Sequence, residues 1–483
     1  MAGHTLTWFH ALLFAASTLA HPCPLSVAHI DFADCWTQIP TVLIDTIASL
    51  NLTTLPPELH CSRLNVPLDY SKPMSAPNNN ITLGMAMYRP QRPKGVLYYC
   101  PGGTDPGAAV AWQVALGLNS DSMPNFDGLL DYDLLFMDIR GQWSSNNLSV
   151  DVNTLAPLVG AYPSNENEFN AFHSAAQLVF QSLQNMSSPP GALSHLGTRE
   201  TVQDYEQVRI ALGYEKINFL GSSYGSYRNA QYAATFPERV GHFALDAVTP
   251  HGMDMADQVK FDIMAVNRGL LRADAYCQNN DTCPFHDKGR GIVPKVWQSI
   301  LARAINGTLI ACDPSAAANC TTYIRPWEIQ EALAGALSGQ PNFPLILEAL
   351  ALATTGNAAL FFAGSSVPPI VEAWGVVELC SDTALADKSY AGYQKLLEVA
   401  ASVDTYHINQ SISILTQLVC AAWPYTVPAQ PPLKLNATML LITASFDVDT
   451  YVTVYSPGQK RLPIQNPYNV PTGLLAGDVD SSG

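Results

Sequence analysis

The stretch KINFLGSSYGSYRNAQYAATFPERV, residues 216–240, limits the fold of this 483-residue chain more than any other segment. Ile217 to Leu220 is a short apolar run of strand character, followed at once by glycine and serine. Ser226 to Phe236 carries helical spacing, and His242 to Val248 (HFALDAV) returns to strand. A strand, a helix and a second strand in such close succession can pair only in parallel, with the helix crossing over the sheet. The same rhythm precedes it. Thr82–Arg89 alternates like a strand, and Gly95–Cys100 (GVLYYC) and Tyr132–Ile139 (YDLLFMDI) are short β-rich runs that stop at Pro-Gly-Gly and Arg-Gly. Glu200 to Leu212 places Val202, Tyr205, Val208 and Leu212 on one helical face. Strands alternating with helices imply a mostly parallel sheet with helices on both faces.

The pattern changes near residue 251. From 251 to about 425 the signals are mostly helical, broken by Gly, Pro and Cys, before Ala437–Ser445 (ATMLLITAS) reads as a strand again. The expected organisation is a leader at 1–20, the first part of an α/β core at 21–250, an inserted helical cap at 251–425, and the last core strands at 426–483. The length suits one large core with an insertion. Charged residues are only 13% of the chain, which argues against disorder.

Gly221-Ser222-Ser223-Tyr224-Gly225 fits G-x-S-x-G, in the strand-to-helix setting that lifts a serine hydroxyl above a sheet edge. Ser223 is the candidate nucleophile. A helix starting there offers its positive end to a developing oxyanion. The candidate oxyanion donors are the backbone N–H of Tyr224 and that of Gly103 or Thr104, in the loop Pro101-Gly102-Gly103-Thr104-Asp105 after GVLYYC. A carboxylate after a late strand would orient a catalytic histidine. LLITASFDVDTYV offers Asp447, with Asp449 two residues on; Asp447 is the choice.

Several segments in order carry a resemblance: CSRLNVPLDY (61–70), CPGG (100–103), MDIRG (137–141), INFLGSSYGSY (217–227), YAATFPERVGHFALDAV (232–248), CAAWP (420–424) and LLITASFDVDTY (440–451). The chain resembles the tripeptidyl aminopeptidase/proline iminopeptidase-like group of the α/β-hydrolase superfamily over most of residues 35–451. The resemblance implies an α/β-hydrolase fold with a helical cap, and a secreted serine hydrolase acting on peptide N-termini or on small amides and esters. It implies no metal and no cofactor. It matches Ser223 to the nucleophile and Asp447 to the triad acid.

The chain departs from that pattern in places. The family sets a Gly-His near the C-terminus, whereas no histidine follows Asp447, so the ending is expected to be truncated or divergent. Among the eleven histidines only His251 and His407 are weighed as substitutes for the base. Relatives run Gly-Gly-Pro-Gly where this chain has Gly102-Gly103-Thr104-Asp105. A Cβ at Thr104 is expected to hinder a left-handed backbone, and the Asp105 carboxylate to repel an oxyanion. Gln142-Trp143 stands where smaller residues are usual. A recogniser of free amines should offer acids at the cap mouth, for which Glu372, Glu378 and Asp382 are candidates. Alternatives to an aminopeptidase are a small-molecule esterase or lactonase and a non-catalytic protein of the same fold.

The remaining features concern compartment and partners. MAGHTLTWFHALLFAASTLA has an apolar run from Leu6 to Leu19, too short to span a bilayer comfortably, and reads as a signal peptide cut after Ala20. No second segment is apolar enough to span a membrane. Ten cysteines suit an oxidising compartment. Cys277 with Cys283, Cys312 with Cys320, Cys35 with Cys61 and Cys380 with Cys420 are the expected pairs, leaving Cys23 and Cys100 open. Sequons at Asn51, Asn80, Asn147, Asn185, Asn280, Asn306, Asn319, Asn409 and Asn436 fit a secreted glycoprotein. A net charge of −16 excludes nucleic acid as an expected partner.

Overall fold

The computed structural model describes residues 30–118, 126, 128–311, 322–338, 341–362, 369–429, 433 and 440–442. Eight strands form one sheet among these residues: β1 (Asp31–Ala33), β2 (Leu59–Val66), β3 (Ile81–Tyr88), β4 (Val96–Cys100), β5 (Asp133–Met137), β6 (Ile217–Ser222), β7 (Val240–Asp246) and β8 (Leu440–Ile442). Their order is β1-β2-β3-β5-β4-β6-β7-β8. The first four are joined antiparallel, and β5-β4-β6-β7-β8 is a continuous parallel run.

Both faces of this sheet are covered, because successive side chains alternate. Val96, Tyr98 and Cys100 of β4 enter one apolar layer with Leu135, Met137, Ile217 and Phe219. Helices α3 (Glu166–Met186), α4 (Thr198–Leu212) and α5 (Tyr224–Thr235) supply its other half through Phe180, Tyr205 and Tyr232, among others. On the opposite face Leu134, Phe136 and Tyr99 pack with α1 (Ile44–Ser49) and α2 (Gly107–Leu116), where Trp112 is fully buried.

Between β7 and β8 the described residues are mostly helical: α6 (Met255–Gln278), α7 (Ile292–Ile305), α8 (Pro326–Leu337), α9 (Phe343–Thr354), α10 (Pro369–Asp382), α11 (Tyr390–Val403) and α12 (Ile412–Cys420). Helices α6 to α9 enclose a second apolar core around Trp297, Leu270 and Leu333. Helix α10 instead turns back to the sheet layers, where Trp374, Val377 and Cys380 join the first core. Disulfides link Cys35 to Cys61, Cys277 to Cys283 and Cys380 to Cys420, the last tying α10 to α12. Cys100 is a buried thiol. Cys23, Cys312 and Cys320 lie outside the described residues, as does the leader. No described helix is long and apolar enough to cross a membrane.

The strand order fixes where a ligand can sit. From β4 the chain passes through α2 to β5 on one side, while β6 flanks β4 on the other. Loops leaving the C-terminal ends of β4 and β6 therefore diverge, and such a switch point opens a crevice. Cys100 pairs with Gly221, so the Pro101 loop and the Ser223 turn rise side by side.

Candidate active site

Ser223 adopts φ +52° and ψ −124°, immediately before α5. A serine there is strained, and the surroundings must hold it. Its N–H donates to the Asp246 carbonyl at the end of β7 (3.0 Å). Its carbonyl accepts from the Ser226 N–H (2.9 Å) and hydroxyl (2.6 Å). The Ser226 hydroxyl in turn takes the Thr249 N–H (2.9 Å). The hydroxyl of Ser223 is thereby left over the sheet edge, half-buried. As the first residue of α5, Tyr224 presents an N–H that has no acceptor among the described residues.

The Pro101 loop meets this turn at close range. A Cβ built on Gly102 would lie 2.6 Å from the Cβ of Ser223 and 3.1 Å from its hydroxyl oxygen, so only glycine fits. The left-handed residue of the loop is Gly103, at φ +47°, and not Thr104. The hindrance expected from a Cβ at Thr104 is therefore absent. Two carbonyls of the loop are held by Arg228, whose Nη1 donates to Pro101 (3.1 Å) and Nη2 to Gly103 (2.7 Å). Trp143 Nε1 donates to the Thr104 carbonyl (2.6 Å), and its ring meets Trp374 edge-on. The unusual Trp143 is thus a brace for the loop. The N–H groups of Gly103 and Thr104 have no acceptor among the described residues.

Gly103, Ser223 and Tyr224 open into a cavity of about 800 Å³, whose lining also includes Glu378, Asp382 and Gln417. Residues 95–295 match a family model described as the alpha/beta hydrolase fold. Over those residues the chain has the α/β-hydrolase fold. A tripeptidyl aminopeptidase of Streptomyces coelicolor is 31% identical over 205 residues, which are 41% of this chain and 37% of that protein. Serine protease Hip1 of Mycobacterium tuberculosis is 27% identical over 231 residues, 47% of this chain and 42% of its own. The putative hydrolase YuaR of Escherichia coli is 25% identical over 256 residues, 51% of this chain and 48% of its own. These names agree with the resemblance to the tripeptidyl aminopeptidase-like group. The chain spans less than half the length of each of these three relatives.

Neither of the two histidines weighed as a base lines this cavity. His251 is buried; its Nε2 lies 2.8 Å from the Tyr227 carbonyl, and its ring stacks on that of Tyr227 at 3.4 Å. His407 lies between α11 and α12, where its carbonyl accepts from Gln330. Asp447 lies outside the described residues, although β8 ends at Ile442 beside Asp246, at the same sheet edge as Ser223.

The acids of α10 face the cavity in unlike ways. Glu378 is engaged by Arg228 in a buried fork, with Nε and Nη2 each 2.6 Å from a carboxylate oxygen. Burial opposes the charge on Arg228, but Glu378 outweighs it and holds the guanidinium well above its usual pKa. Asp382 accepts from the Thr198 N–H (2.9 Å), the Thr198 hydroxyl (2.6 Å) and the Tyr224 hydroxyl (2.8 Å). The side chain of Glu372 lies outside the described residues. Sequence reasoning missed Arg228 and Trp143 as parts of the site. An arginine among the buried residues of α5 was the available signal, since a buried cation requires a partner.

Burial, with Glu378 nearby, pushes the Asp382 carboxyl up to about 7 against an ordinary 3.8. Folding therefore takes up a proton between these values, and the stability this group contributes falls as pH rises through that window. Asp382→Asn, which keeps an acceptor for the Thr198 N–H, is expected to raise Tm by a few degrees at pH 8 and by clearly less at pH 5, within that window. Thermal unfolding at the two pH values checks this; an equal shift at both would show that proton uptake at Asp382 is not the cause.

Proposed function

We propose that this chain is a serine hydrolase of peptide N-termini, in which Ser223 attacks the scissile carbonyl and forms an acyl-enzyme. The observation that carries this reading is the strained Ser223 set against Gly102 at the switch point, with its hydroxyl edge opening into the 800 Å³ cavity. The Tyr224 N–H and the Gly103 or Thr104 N–H would hold the oxyanion. Removing one such donor costs about a hundred- to a thousandfold in other hydrolases. Asp447 is proposed as the acid of the triad. Residues 251–425 would form the cap over the site, joined to the core through α10. Export as a glycoprotein is supported by the exposed positions of the sequon residues Asn51, Asn80, Asn147, Asn185, Asn306 and Asn409.

One observation favours a second reading, a hydrolase of neutral esters or lactones. Arg228 neutralises Glu378, and Asp382 is already engaged by Thr198 and Tyr224, so neither of these two carboxylates is free for a substrate ammonium. The two readings separate on paired aminoacyl arylamides with free and N-acetylated amines. An aminopeptidase should prefer the free amine by about a hundredfold or more in kcat/KM, the size of one buried charged contact. Indifference to acetylation would leave the ester hydrolase.

A further inference from the structure

Arg228 is fully buried, and its donors are divided between an acid and a loop. Glu378 takes Nε and Nη2. The Pro101 carbonyl takes Nη1, which also lies 3.8 Å from the Cys100 thiol. The Gly103 carbonyl takes Nη2. The guanidinium also lies over the Tyr224 ring, 5.2 Å from its centre. One side chain thus ties α5, the Pro101 loop and α10 together directly behind Ser223.

The geometry of the peptide unit gives this grip a consequence. In a planar trans peptide the carbonyl of one residue and the N–H of the next point in opposite directions. Holding the Pro101 carbonyl fixes the Gly102 N–H, and holding the Gly103 carbonyl fixes the Thr104 N–H. Both N–H groups must then point away from Arg228. Thr104 is one of the two residues expected to donate to the oxyanion. Gly103 is the left-handed member of the loop and otherwise has the least conformational restraint there. A buried ion pair is weak evidence for stability, because desolvating both charges cancels much of their attraction. Fixing one backbone geometry is the better account of why two charges lie in this core.

We infer that Arg228, paired with Glu378, is a positioning residue for acyl transfer, aiming the Thr104 N–H at the oxyanion formed on Ser223. The assignment rests on Ser223 being the nucleophile. Glu378 supplies the countercharge and the fork that sets the guanidinium plane; Trp143 braces the next carbonyl, that of Thr104. Because Glu378 belongs to α10, the shape of the oxyanion site is set partly by the helical region and not by the sheet alone.

The test replaces the pair in the full-length protein. In Arg228→Met with Glu378→Met neither charge is left buried alone, so Tm should stay near that of the parent. Hydrogen exchange is followed in the peptide covering 101–106, together with the rate of fluorophosphonate labelling and the kinetics on an aminoacyl arylamide. The expected result is faster exchange in that peptide, labelling slowed about a hundredfold, and a fall in kcat with KM nearly constant, as for a reacting geometry lost by about an ångström. Arg228→Lys, which keeps the charge without the fork, should fall between the two. If the double variant does not fold, Arg228→Lys carries the same readouts, with about a tenfold loss expected. A folded double variant that labels at the parental rate, or whose 101–106 peptide exchanges as before, overturns the assignment. A parent protein that takes no label at Ser223 overturns the nucleophile instead, and loop exchange still decides whether Arg228 fixes the loop.

Discussion

Ser223→Ala is expected to abolish fluorophosphonate labelling and to lower hydrolysis of aminoacyl arylamides by about four to six powers of ten. The hydroxyl is the atom that would form the acyl bond, and alanine removes it. Ser223 holds its strained backbone through main-chain contacts with Asp246 and Ser226, none of which uses its own hydroxyl. The alanine variant should therefore fold, with a Tm close to that of the parent. Mass spectrometry of the labelled protein, with the variant beside it, is the measurement. Equal labelling or equal hydrolysis in both would remove Ser223 from the mechanism.

Gly225→Ala is expected to have the second largest effect. A Cβ at that position would fall 2.1 Å from the Cys100 carbonyl oxygen and 2.6 Å from that of Pro101. Both are backbone atoms at the point where β4 becomes the oxyanion loop, so neither can swing aside as a side chain would. Either α5 must withdraw from the sheet or the loop must move off Ser223. Forced overpacking of this kind costs roughly 1–3 kcal/mol. The displacement should also slow labelling of Ser223 about a hundredfold or more, since it separates the donors from the nucleophile. Thermal unfolding and labelling rate together check the prediction. A variant that keeps both parental values would show that α5 and the loop need not lie so close.

Much of the core was legible because local pattern and burial agree there. GVLYYC reads as a strand and forms β4; YDLLFMDI contains β5; the 200–212 face of Val202, Tyr205 and Val208 packs on the sheet as α4. The helix after Ser223 starts at Tyr224, two residues earlier than its spacing suggests, because the turn feeds it directly. The pairings Cys35–Cys61, Cys277–Cys283 and Cys380–Cys420 were also readable. The acids of α10 were not. Glu378 and Asp382 read as helix charges that a substrate amine might use, yet one answers Arg228 and the other caps Thr198 and Tyr224. Thr104 looked like an obstacle, whereas the left-handed turn falls on Gly103.

What the sequence determined by itself is the βαβ frame and the serine at its bend, since hydrophobic period and turn chemistry are properties of neighbouring residues. Tertiary structure alone decided how the loop beside that serine is held. Arg228 and Glu378 stand 150 positions apart. Neither pattern nor propensity pairs residues so distant; they meet because α10 folds back over the sheet, and a charge enclosed there must find its opposite.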